Sequence, residues 1–217
     1  MISPPRLSGR QAVLTALAVL VLLALPGARR ALEASMTLHM LVQFPLLALP
    51  GFLLAAALSQ RWLARMNAGN AYGISGLFGV AVALAILMIP RVLDLALVDA
   101  RIELAKWLAL LSCGAALRLS WRPAGLLVQG FFLGNILPMM VVVGSLYESS
   151  PTRVCNAYLL DDQVRLGQLL VWISAGIALA WFAHLTQVVL HRETVAVLPE
   201  PPEASAVATK SAAPESR

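Results

Sequence analysis

The sequence predicts an all-α, polytopic membrane helical bundle with about six transmembrane helices, or five if the first apolar run is a cleaved signal. Three observations predict it. Of 217 residues, 59% are hydrophobic and only 12% are charged, whereas a typical soluble domain carries about 25% charged residues. Mean hydropathy is +0.80. The apolar residues also gather into runs close to the ~20 residues that cross a hydrocarbon core about 30 Å thick. Six such spans would use about 120 residues and leave no room here for a folded domain outside the bilayer.

The first run, 11–26, lies between Arg6 and Arg10 on one side and Arg29-Arg30 on the other. A basic start followed by Pro26-Gly27-Ala28 resembles a secretory signal, but the paired arginines beyond it favour a retained span. The second run, 36–58, carries Pro45 and Pro50. Each removes a backbone donor, so a kink or a broken helix is expected there. The third covers 71–90, the fourth 104–119 and the fifth 124–147, interrupted by Pro138. The sixth is 164–190, entered through Asp161-Asp162-Gln163. Residues 1–192 thus form the bundle domain. Residues 193–217, rich in Ala, Pro, Ser and Glu without an apolar period, read as a disordered cytoplasmic tail.

Orientation follows from Lys and Arg near span ends. With the N-terminus inside, seven basic residues lie inside (Arg6, Arg10, Arg61, Arg65, Arg118, Arg122, Arg192). Seven also lie outside (Arg29, Arg30, Arg91, Arg101, Lys106, Arg153, Arg165). Lys210 and Arg217 tip this balance toward both termini being cytoplasmic, in a cell inner membrane. The pI near 9.9 does not imply nucleic acid, because the basic residues stand in ones and twos between apolar runs. Cys113 and Cys155 form neither a CxxC motif nor a disulfide framework.

Small residues account for some of the pattern. Ala71, Ser75, Gly79 and Ala83 recur every four residues, and Gly130 and Gly134 form a GxxxG. Both patterns favour close helix approach in lipid. No internal repeat suggests an inverted-repeat transporter.

Three constellations carry possible chemistry. Met36, His39, Met40 and Gln43 fall at i, i+3, i+4 and i+7 at the outer start of the second span, so they share one helix face. Imidazole with thioethers suits Cu(I), which makes His39, Met40 and Met36 candidate metal ligands. Met88, Met139, Met140 and Cys155 lie at the same outer level, while methionine is also an ordinary packing filler. Second, Asp162 and Gln163 stand at a helix start, where acids satisfy free N–H groups, and could also face across the mouth toward His39. Third, Glu103 and Lys106 at i, i+3 should pair and snorkel at the interface; deeper burial would make them functional candidates. No metalloprotease, hydrolase, phosphate-loop or dinucleotide motif is present, so an enzyme is not expected.

The order of landmarks resembles the polytopic CtaG-like cytochrome c oxidase assembly factors. The stretch HMLVQFPLLALPG from His39 is similar to that family's HM-x-QH pattern, with Gln43 where the pattern closes on histidine. Ile89-Pro90-Arg-Val-Leu-Asp94 and Trp121-Arg-Pro123 look like its Pro-x-x-Tyr-Asp and Trp-Trp-Pro landmarks. Tyr158-Leu-Leu-Asp-Asp162-Gln163-Val-Arg-Leu-Gly167, then Trp172, is similar to its Tyr…Asp-Gln-x-x-x-Gly…Met-Trp signature. The resemblance runs from about Met36 to Trp181, and His39, Met40, Asp162 and Gln163 carry over. It implies a membrane assembly factor for a respiratory oxidase, with oxidase subunits as partners beside the lipid bilayer and copper as a possible cargo. The alternative is a non-catalytic scaffold or accessory subunit packing against partner helices.

Overall fold

The computed structural model describes residues 8–197, and among these the chain is helical without strands. It divides into a unit ending at Ala178 and a second beginning at Leu179.

Helix α1 (Gly9–Ala24) starts with a reciprocal cap: Ser8 accepts from the Gln11 N–H, and the Gln11 side chain accepts from the Ser8 N–H. Such a box satisfies two otherwise orphaned donors. The helix stops before Pro26, which opens a short second helix, α2 (Pro26–Glu33), at 73° to the first. Helix α3 (Met36–Ala56) follows. It is not broken at Pro45 or Pro50. Instead, one π-helical turn at His39–Gln43 sits just before Pro45. A wide turn there accommodates a residue that cannot donate to the carbonyl four positions back.

After α4 (Gln60–Ala68), helix α5 (Ile74–Leu87) is again succeeded by a proline-started short helix, α6 (Pro90–Val98). The helical segment Ala71–Leu87 and α6 are bent by 76°. Helix α7 (Ala100–Ser120) is capped by the Asp99 carboxylate. Helix α8 (Gly125–Ser149) runs through Pro138 without a break. Helix α9 (Leu160–Val197) extends beyond the expected end at Leu190. The first five residues of the expected disordered tail, 193–197, thus continue the helix, and the rest of that tail, 198–217, lies outside the described residues.

Among the described residues three helices are long and apolar enough to cross a membrane, or up to five if each bent pair counts as one span. α2, α4 and α6 were not expected as helices. They are short and all three mix arginine with apolar residues, so a search for long apolar runs passes over them.

Within the first unit, α3 packs along α7 and against α1, and α5 packs against α7 and α8. The α3–α7 contact is backbone against backbone. A methyl group on Gly114 would fall 1.8 Å from the Ala48 carbonyl oxygen, and one on Gly51 would fall 1.9 Å from that of Leu111. Gly144 and Gly167 also bring α8 and α9 together, though less tightly: a methyl group on either would fall 2.7 or 2.5 Å from the other's carbonyl oxygen. A methyl group on Gly79 or Gly134, by contrast, would meet no other segment within 4 Å among the described residues. The small residues that matter stand singly opposite a partner backbone, not in the regular stripes that the spacing singles out.

Candidate functional site

A polar cluster lies buried where α2, the start of α3, the start of α7 and the loop before α9 meet. His39 and Gln43 are fully buried and Lys106 is 2% exposed. In an apolar bundle such groups need partners, because an unpaired buried charge costs several kcal/mol.

The partners come from four segments. Lys106 Nζ lies 3.0 Å from His39 Nε2, 3.3 Å from Gln43 Oε1 and 3.4 Å from Glu33 Oε1. An ammonium has only donors, so His39 Nε2 accepts. The imidazole proton therefore sits on Nδ1, donating to the Tyr158 hydroxyl at 2.5 Å. Gln43 Nε2 donates to Glu33 Oε1 at 3.3 Å. Arg29 closes the network, donating from Nε to Glu33 at 3.0 Å and pairing with Glu103. The expected Glu103–Lys106 pair is replaced by these longer-range bonds. Turning Lys106 inward lets one ammonium serve three acceptors at once, while Glu103 at the rim takes Arg29. Two cations and two carboxylates balance.

Beside this cluster, the Asp162 carboxylate accepts from the Ser35 hydroxyl at 3.0 Å, the Thr37 hydroxyl at 2.7 Å and the Met36 N–H. It thus caps α3, a helix 126 residues away in sequence, and touches the backbone that carries His39 rather than the ring. Gln163 braces the loop, accepting from the Val154 N–H at 2.8 Å and donating to the Tyr147 carbonyl at 3.1 Å. Asp94 accepts from the Asn156 and Ala157 N–H groups at 2.9 and 3.3 Å. The Cys155 thiol lies 3.8 Å from the Pro90 carbonyl.

The sulfurs divide. Met36, Met40, Met88, Met140 and Cys155 belong to one core cluster, which Tyr158 and Phe44 also join. Met140 bridges to a second cluster around Leu77, Cys113 and Phe132, which holds Met139. Thioethers suit Cu(I), so Met36, Met40, Met88 and Met140 fit the soft part of the expected donor set. His39 fits it less well, since both ring nitrogens are engaged. Burial, with a smaller contribution from Asp94, pushes the Cys155 thiol up to about 12. Its thiolate, the form that binds metal, is therefore scarce at neutral pH. Burial likewise raises the Tyr158 hydroxyl, which stays protonated. Among the described residues no three His, Cys, Asp or Glu side chains group as a metal site.

The residues that sequence reasoning missed are Glu33 and Arg29. The signal available was their i, i+4 spacing beside an apolar span, but nothing in it pointed to Lys106, 73 positions from Glu33. Compared with protein-family models, curated proteins and solved structures, the chain finds no match.

Proposed function

We propose that this chain is a non-catalytic, multi-pass inner-membrane assembly factor of the CtaG-like kind, acting on a respiratory cytochrome c oxidase from the outer face. The observation that carries the reading is the meeting of segments that bear the resemblance. His39 bonds Tyr158 from 119 residues away. Asp162 caps the helix start just before His39, and Asp94 and Pro90 hold the loop at 155–157. Three of the four landmarks that motivate the resemblance therefore make one assembly. The Trp121-Arg-Pro123 stretch stands apart, with Trp121 edge-on to Phe132.

In this reading α7 is a further span. Its 21 residues are about 31 Å long at 1.5 Å per residue. Its charges, Arg101, Glu103, Lys106 and Arg118, lie toward its ends. With the two bent pairs and the three long helices, this gives six crossings and both termini on one side, which the basic-residue balance takes as the cytoplasmic one. Copper is cargo here. Met36, Met40 and neighbouring thioethers would receive Cu(I), with His39 joining only by exchanging its Lys106 contact.

The test compares cells lacking the chain, complemented with wild type, His39→Ala or Met36→Leu/Met40→Leu. Oxidase activity and copper per purified protein under reducing conditions are both measured. Both should fall in the methionine variant, and oxidase activity should fall in His39→Ala. Unchanged oxidase activity in the strain lacking the chain would overturn the assembly reading. Normal oxidase support without bound copper would leave the scaffold reading, which the internally satisfied His39–Lys106–Glu33 network favours.

A further inference from the structure

The opposite end of the first unit carries a site of different chemistry. Its connecting segments, residues 57–73 and 117–125, contain Arg61, Arg65, Arg118 and Arg122 and no acidic residue. Among the described residues, none of these four arginines takes part in an ion pair. Between the ends of α3 and α7 lies a cavity of about 320 Å³ lined by Phe52, Leu117, Arg118, Trp121 and Arg122. Its floor is apolar and its charge is entirely cationic. The Arg118 guanidinium sits over the Phe52 ring, 5.4 Å from the centroid, a cation–π placement. That stacking holds the cation at the cavity edge and leaves its donors without a carboxylate.

We propose that this cavity binds one anionic phospholipid. The phosphate is held by the Arg118 and Arg122 guanidiniums, and the upper part of an acyl chain fills the space between Phe52, Leu117 and Trp121. The charge complementarity is direct. Guanidinium presents a donor fork matched to phosphate oxygens, and basic pockets between membrane helices favour anionic headgroups. Helix α4, which follows the end of α3 in the chain, adds the same chemistry. Its Arg65 lies 5.5 Å from the Trp62 ring centroid, and Trp62 and Met66 are exposed, an arginine-and-aromatic composition typical of helices at the headgroup level. A soluble anion would gain the charge but not the apolar cavity, and a zwitterionic lipid would gain the cavity with less charge.

The full chain, purified in neutral detergent, is titrated with phosphatidylglycerol, phosphatidylcholine or inorganic phosphate. Bound lipid is counted by native mass spectrometry and stability is followed by thermal unfolding. Phosphatidylglycerol should give a one-to-one adduct and raise the unfolding temperature. Phosphatidylcholine and inorganic phosphate should each do so at least tenfold less effectively. The double variant Arg118→Gln/Arg122→Gln should lose at least tenfold in phosphatidylglycerol affinity with unchanged helix content, whereas Arg153→Gln, in the loop before α9, should bind as wild type. If the double variant does not fold, Arg122→Gln alone, at an exposed side chain, should weaken binding about threefold or more. Equal binding of the two lipids, full effect from inorganic phosphate alone, or undiminished binding by the arginine variants would each overturn the proposal.

Discussion

The two ends of the first unit treat charge in opposite ways. At the His39 end, charges of both signs, Lys106 buried and the others half-buried, are matched within the protein: Lys106 with Glu33, and Arg29 with Glu33 and Glu103. At the Arg118 end, charge of one sign stands at the surface beside aromatic rings, and among the described residues no carboxylate answers it. A charge withdrawn from water must carry its counter-charge with it, because desolvation otherwise exceeds any local gain. A charge at the headgroup level needs none, since the membrane supplies the anion. Similar numbers of basic residues near span ends on the two sides therefore mean different things. One end spends its charges on internal order and the other keeps them available.

The sharpest way to break this contrast is to remove the central cation. Lys106→Met leaves the half-buried Glu33 with Arg29 as its remaining ionic partner and takes the donor from His39 Nε2 and Gln43. Breaking a buried pair on one side costs roughly 3–5 kcal/mol, and the lower figure is expected because Arg29 stays. The double variant Glu33→Gln/Lys106→Met should recover most of that loss, since removing both charges together is often neutral. Thermal unfolding in detergent, followed by helix signal, checks both. A single variant as stable as wild type would show that the network contributes nothing to holding this end together.

A smaller effect is expected one step out from the charges. Asp162→Ala removes acceptors from Ser35, Thr37 and the Met36 N–H, and loss of a cap costs about 1 kcal/mol. Asp162→Asn, which keeps the oxygen acceptor, should lose less than half as much. Amide hydrogen exchange at the first turn of α3 should speed up in the alanine variant. No change there would place the role of Asp162 elsewhere.

These residues also mark what was legible in the sequence. The helical membrane class followed from composition, and the long helices fell near the expected runs because a span is a local property of about 20 residues. The shared face of Met36, His39, Met40 and Gln43 was readable for the same reason, and all four are buried. Pairings between segments were not. The spacing of Glu103 and Lys106 suggested a local bond. Lys106 instead turns to Glu33 and His39, and the choice depends on how α2 folds back at Pro26. Asp162 was readable as a cap, but not as the cap of α3. The Arg118 cavity was hidden as well: charge counting identified its arginines as orientation signals, and only the meeting of Phe52 with α7 gives them a pocket. The exposed glycines Gly79 and Gly134 teach the converse, that a regular small-residue period does not locate a close contact without the opposing backbone.

The smallest expected effect completes the contrast. In neutral detergent, Arg118→Gln should change stability by no more than about 0.5 kcal/mol, as surface substitutions usually do, because it gives up only a half-exposed ring contact with Phe52. The same variant measured with phosphatidylglycerol should be less stable than wild type by the binding free energy it forgoes. Salt separates the two ends further. Exposed charges are screened within about 3 Å at 1 M ionic strength, while buried pairs are screened much less. Raising salt should therefore erase the lipid-dependent difference between wild type and Arg118→Gln. It should leave the loss caused by Lys106→Met almost unchanged. If both differences faded together, the His39 network would be as open to solvent as the arginines at the other end, and the distinction between inward-paired and outward-facing charge would fall.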